Sequence, residues 1–186
     1  MSIECIGTEA ATGRQTVVRF DRAIQLVDTP IRPTGDAPML SAGWIDLQVN
    51  GFAGVDYNSP ASPHERIAAS IRALFATGVT RFLPTVITGS PENMAGSLRN
   101  LARAKTSLPE GPAMEGFHVE GPHISPEDGP RGAHPKEWVR PPDLDEYKRW
   151  QEAAEGNVRL VTVSPEWPGI TSYIERLTGE GIVVSI

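Results

Sequence analysis

From Gly43 to the last residue, strand-like runs alternate with helix-like segments, and this alternation limits what the chain can fold into. Gly43–Asn50 reads as a strand stopped by Gly51. Pro60 and Ser62-Pro63 announce a helix to about Ala76, closed by Gly78. Val79–Ile87 reads as the second strand, although Pro84 removes a ladder donor. Ser90-Pro91-Glu92 opens a helix that ends near Lys105. Ala113–Glu120 is the third strand. Asp143 caps a helix through about Ala154, Val158–Val163 is the fourth strand, Ile170–Thr178 is helical, and Ile182–Ile186 begins a fifth strand. Such an order implies an α/β fold with a parallel sheet and right-handed crossovers. A doubly wound sheet fits the same order. However, no Gly-x-Gly-x-x-Gly follows the first strand, and no Walker lysine motif occurs. Ahead of this region, residues 1–42 read as a small β module. Its strands are Val17–Phe20 and Ala23–Val27, with Asp21-Arg22 as the turn. Pro30, Pro33, Gly35 and Pro38 then interrupt regular structure.

Charge and cysteine content narrow the function classes. A net charge of -6 and a pI near 5.2 argue against a nucleic-acid surface. The lone Cys5 cannot form an internal disulfide, which fits a reducing cytoplasm. No apolar run approaches the roughly 20 residues of a membrane span, and the first residues lack the plan of a signal peptide. The expected protein is cytoplasmic, with neither a nucleic-acid nor a membrane partner.

Chemistry concentrates in Gly116–Ile124, GFHVEGPHI. Alternation along a strand puts His118 and Glu120 on one face and Val119 on the other. The strand stops at Gly121-Pro122, where a long loop, 121–142, begins. In parallel α/β folds, that edge is where active sites are built. The loop is rich in proline, which lowers its ordering entropy, so an ordered functional loop is expected. On the first strand, Asp46, Gln48 and Asn50 share a face and form a candidate wall of the site.

Three stretches carry a family likeness: Gly43–Asn58 (GWIDLQVNGFAGVDYN), Gly116–Pro122 (GFHVEGP) and Arg131–Pro135 (RGAHP). Together, in this order, they resemble the N-acetylglucosamine-6-phosphate deacetylases of the amidohydrolase superfamily, over about residue 40 to the end. The resemblance implies a (β/α)8 barrel, of which residues 43–186 supply about four βα units and a fifth strand. It implies metal-assisted hydrolysis of the acetamide of N-acetylglucosamine 6-phosphate, with one divalent ion, zinc, per site. Glu120 corresponds to a metal ligand, and Ala133 (through its backbone) and His134 to substrate contacts. Gln48-x-Asn50 stands where binuclear relatives carry His-x-His, which disfavours a second metal.

The resemblance also places two histidine ligands and the general acid/base aspartate beyond Ile186. On that expectation the chain is the N-terminal half of a larger enzyme and is inactive alone. The family implies a homodimer, and a cut barrel with two open edges would self-associate or pair with a missing half.

Plainer readings stand beside these. Glu120 could be a strand-end acid paired with an arginine. His118 reads first as a hydrogen-bonded core histidine supporting Glu120. His123 reads as a loop or rim histidine. Gln48 and Asn50 read equally as interior polar groups or pocket walls. Arg131 suits a loop ion pair as well as a phosphate. Lys136, Arg140, Lys148 and Arg149 read as a solvated face.

Overall fold

The computed structural model describes residues 2–32 and 35–186; Pro33 lies outside them. Cα proximity divides the chain into two units, Met1–Gly43 and Trp44–Ile186.

The first unit is a sheet of β1 (Ile3–Glu9), β2 (Gln15–Phe20), β3 (Ile24–Asp28) and β4 (Met39–Leu40), in the order β3-β2-β1-β4. β1 pairs antiparallel with β2, β2 antiparallel with β3, and β1 parallel with β4. Two of these strands are the ones expected from their β-branched runs, whereas β1 and β4 add to that reading.

The second unit begins with β5 (Trp44–Val49), followed by a small hairpin of β6 (Gly51–Phe52) and β7 (Val55–Asp56). Its two turn residues, Ala53 and Gly54, have φ of 50° and 76°, as a tight hairpin turn demands. Then come α1 (His64–Phe75), β8 (Val79–Ile87), α2 (Pro91–Ser107), β9 (Phe117–Glu120), α3 (Leu144–Ala153), β10 (Val158–Thr162), α4 (Ile170–Gly179) and β11 (Val183–Ser185). β9 starts at Phe117 rather than Ala113 because Gly111–Ala113 winds into a 3-10 turn. Pro84 is accommodated inside β8 at a register shift: the pairs run Asp46↔Phe82, then Val49↔Pro84. There the Val49 N–H donates to Thr85 Oγ1 (3.0 Å) instead of to a carbonyl.

The five long strands form one parallel sheet in the order β11-β10-β9-β8-β5. Neighbours in sequence are neighbours in space, so every crossover steps in the same direction. A doubly wound sheet would reverse at a switch point; this one does not, and the sheet curls as a parallel half-barrel. Right-handed crossovers that never reverse place α1–α4 on one face.

The helices follow from periodicity and capping. In α1, Ile67, Ile71 and Leu74 fall on one stripe and are buried; in α2, Met94, Leu98 and Leu101 do the same. Ser90 Oγ accepts the Asn93 N–H (3.2 Å), and Asp143 Oδ1 accepts the Asp145 N–H (2.7 Å), each satisfying an orphan helix donor. The core lies between these stripes and the helix-facing side of the sheet. From β9 it takes Phe117 and Val119, each 0% exposed. His118 and Glu120 therefore point away from the helices.

Candidate active site

At the carboxyl ends of β5, β8, β9 and β10 lies a cavity of about 510 Å³. Gln48, Asn50, Glu120, Ala133, His134 and Thr162 are among its lining residues. The site residues read from the sequence thus meet around one opening, with two exceptions. Asp46 and His118 do not line it.

Glu120 is the last residue of β9, with its side chain 19% exposed. Gln48 Nε2 donates to its Oε2 at 2.7 Å. His134 Nε2 stands 3.9 Å from its Oε1. Among the described residues, no arginine or lysine forms an ion pair with it. A carboxylate at a strand end, held by an amide rather than neutralised by a cation, retains acceptor capacity for a ligand.

His118 is 3% exposed and forms a knot between strands. Its Nε2 meets Thr162 Oγ1 on β10 at 2.7 Å, and its Nδ1 meets the Leu47 carbonyl on β5 at 3.1 Å. Burial holds its pKa below the usual imidazole value, against the pull of Glu120 and the Leu47 carbonyl. None of its hydrogen bonds among the described residues goes to Glu120. Its support is indirect, fixing β9 against its neighbours.

The loop between Gly121 and Pro142 is ordered and contains a 3-10 turn, Lys136–Trp138. It returns His134 to the sheet, where Nδ1 meets Thr88 Oγ1 at 2.8 Å. Thr88 Oγ1 also lies 3.4 Å from the Glu120 carbonyl. Gly121 has φ of 79°, and an added Cβ there would overlap Thr88 Oγ1, so only glycine allows this approach. Arg131 lines the cavity but is held by Asp128 (2.6 Å) and the Pro126 carbonyl (3.2 Å).

Two sequence readings are corrected. His123 is not a rim residue; it is 0% exposed. Its ring packs against Trp150 and Tyr173, with centroids 5.2 and 5.3 Å away. Its position after the strand turns it toward the helix side, and burial lowers its pKa to about 4. Arg140 does not belong to a solvated face. Its Nε donates to Glu146 Oε2 at 2.8 Å, and Glu146 is 3% exposed. Thr88 and Thr162 were absent from the sequence reading of the site. Their signal was a hydroxyl residue at the carboxyl end of a strand, at the edge where parallel sheets place chemistry.

As for a metal, no group of three His, Cys, Asp or Glu residues able to hold one occurs among the described residues. Glu120 offers one ligand, whereas a zinc centre needs about three from protein. This donor set does not by itself fit the ion implied by the family likeness.

No family model matches the chain. Curated relatives do. The chain is 33% identical over 177 residues to the N-acetylglucosamine-6-phosphate deacetylase of Bacillus subtilis (strain 168), spanning 94% of this chain and 43% of that protein. It is 39% identical over 155 residues to the deacetylase of the same name from Caenorhabditis elegans, and 36% over 152 residues to that of Homo sapiens. Those matches each cover 80% of this chain and 36% of the relative. Among solved structures, a mutant N-acetyl-D-glucosamine-6-phosphate deacetylase from Mycobacterium smegmatis, in complex with N-acetyl-D-glucosamine-6-phosphate, matches with a TM-score of 0.78 at 25% identity. The match covers 97% of this chain and 49% of that one. The deacetylase from Thermotoga maritima matches with a TM-score of 0.74 at 26% identity, over 100% of this chain and 48% of that one. The chain therefore spans less than half the length of these curated relatives.

Proposed function

We propose, from the premise that this chain is a partial, N-terminal relative of the N-acetylglucosamine-6-phosphate deacetylases, that the cavity is one sector of a deacetylase centre. The whole protein would hydrolyse N-acetylglucosamine 6-phosphate. Water adds to the acetyl carbonyl, the C–N bond breaks, and acetate and the free amine of glucosamine 6-phosphate leave. The observation that carries this reading is Glu120, a strand-end carboxylate without an arginine or lysine partner among the described residues, facing the cavity.

In this reading Glu120 contributes one ligand to a single divalent ion, zinc by family likeness. The remaining ligands and the general acid/base lie in the part of the relatives' length that this chain does not span. The residues present among those described do not complete its site. His134 and the Ala133 backbone contact the sugar phosphate, and Gln48 and Asn50 wall the pocket. His118 secures the strand that bears Glu120. Residues 1–42 are read as an accessory β module and 43–186 as part of an eight-stranded barrel. The enzyme is read as cytoplasmic and dimeric; no helix among the described residues is long and apolar enough to cross a membrane.

Acetate release by the whole zinc-loaded protein from N-acetylglucosamine 6-phosphate is the test, and its absence would remove the substrate assignment. Glu120→Gln should lower metal content and rate together; unchanged metal content would remove the ligand role. The 186-residue chain alone is expected to release none.

A second reading rests on the sheet edges. Trp44, Ile45 and Leu47 on β5 and Val183 on β11 are 68%, 48%, 57% and 63% exposed. Each strand pairs on one side only. Such edges favour association of the isolated chain. A monodisperse monomer in light scattering, melting cooperatively, would count against it.

A further inference from the structure

We propose that Thr88 is a positioning residue: its hydroxyl fixes His134 as the Nε2–H tautomer and so aims an N–H donor into the cavity beside Glu120. The inference rests on the reading of His134 as a substrate contact and deepens it, by assigning the kind of atom that His134 would meet.

Thr88 lies one residue past β8, is 4% exposed, and is wedged against Gly121. Its hydroxyl, with one proton to give and lone pairs to accept, lies 2.8 Å from His134 Nδ1 and 3.4 Å from the Glu120 carbonyl. A bare Nδ1 takes the hydroxyl proton in the shorter bond; a protonated Nδ1 donates to the hydroxyl, which then turns its own proton to a carbonyl at the limit of bonding. A neutral imidazole that accepts at Nδ1 carries its hydrogen on Nε2.

The other side of the ring decides between them. His134 Nε2 faces Glu120 Oε1 at 3.9 Å. An N–H pointing at a carboxylate is attracted, whereas a lone pair there would be repelled. The opposite tautomer would set two acceptors face to face. The cavity thus has a donor on the His134 side and an acceptor on the Glu120 side. A substrate would meet His134 through an oxygen acceptor, not through a hydroxyl or amide hydrogen.

Imidazole nitrogen NMR of the 15N-labelled chain, above the pH at which the ring protonates, reads this directly. His134 is assigned by the loss of its signals in His134→Asn. The expected spectrum shows protonated Nε2 and an unprotonated, hydrogen-bonded Nδ1. Thr88→Val keeps the side-chain shape and should move the Nδ1 resonance to the value of a free acceptor, with the tautomer preference lost. Thr88→Ser should restore both. A protonated Nδ1 in the wild-type chain, or a Thr88→Val spectrum unchanged at His134, would overturn the proposal. A protonated Nδ1 in the wild-type chain overturns the proposal even if Thr88→Val folds poorly, and Thr88→Ala then serves as the second variant that removes the hydroxyl. Failure of the whole protein to release acetate would remove the deacetylase reading and leave the tautomer result standing; a wrong tautomer would leave the deacetylase reading intact.

Discussion

Two carboxylates, Glu120 and Glu146, show how differently this fold treats the same chemical group. Glu146 sits on the helix side of the sheet, 3% exposed, with both oxygens bonded to the Arg140 guanidinium. Arg140 also donates to the Gly89 and Trp138 carbonyls, at 3.0 and 2.7 Å. Every strong donor there is committed to structure. Glu120 sits at the open end of the sheet with one amide donor and an imidazole at longer range. Burial with full pairing marks a structural carboxylate; partial exposure with an incomplete shell marks one available to a ligand.

Substitutions should separate the two sharply. The largest effect is expected from Arg140→Met, which leaves Glu146 buried and unpaired at a cost of about 3–5 kcal/mol. A fall in the urea midpoint measures it, and a loss below about 1 kcal/mol would erase the contrast with Glu120. Next comes an acid effect from His123, which lies in the same helix-side region. Its folded pKa of about 4 is below the unfolded value of 6.5, so the unfolded chain binds the extra proton. Stability from this residue is complete above pH 6.5 and is lost as pH falls toward 4, by about 3 kcal/mol. His123→Phe keeps the ring between Trp150 and Tyr173 and should flatten stability over that window. Smaller still is Gln48→Leu, which strips the amide from a partly buried carboxylate and should cost roughly 1 kcal/mol or less. Glu120→Gln should be smallest, within about 0.5 kcal/mol, even as it lowers the metal content and rate proposed above for the whole protein. A large stability loss there would make Glu120 a structural acid after all.

The sheet was legible from the sequence because its signals are local. β-branched runs, Ser90 and Asp143 as caps, and the Gly121 stop each specify an element without distant partners. The grouping of Gln48, Glu120, Ala133 and His134 was legible through motif likeness and strand alternation. What was not legible depended on tertiary partners. The sequence does not show that the loop past Pro122 carries His123 inward between α3 and α4. Nor does it show that Arg140 meets Glu146 in the interior, since both look like ordinary surface charges. Thr88 escaped notice because its importance comes from His134, 46 residues away. Strand order could not be read from alternation alone, because singly and doubly wound sheets share it.

The unreversed order of the sheet has a consequence for synthesis. β8 docks on β5, β9 on β8, β10 on β9 and β11 on β10. A chain leaving the ribosome from its N-terminus would present each strand after β5 to an edge already in place. Assembly could proceed in register with translation, by successive short loop closures. At each stage the edge of the newest strand would be open, as that of β5 is throughout, so the growing sheet offers wrong partners two strands.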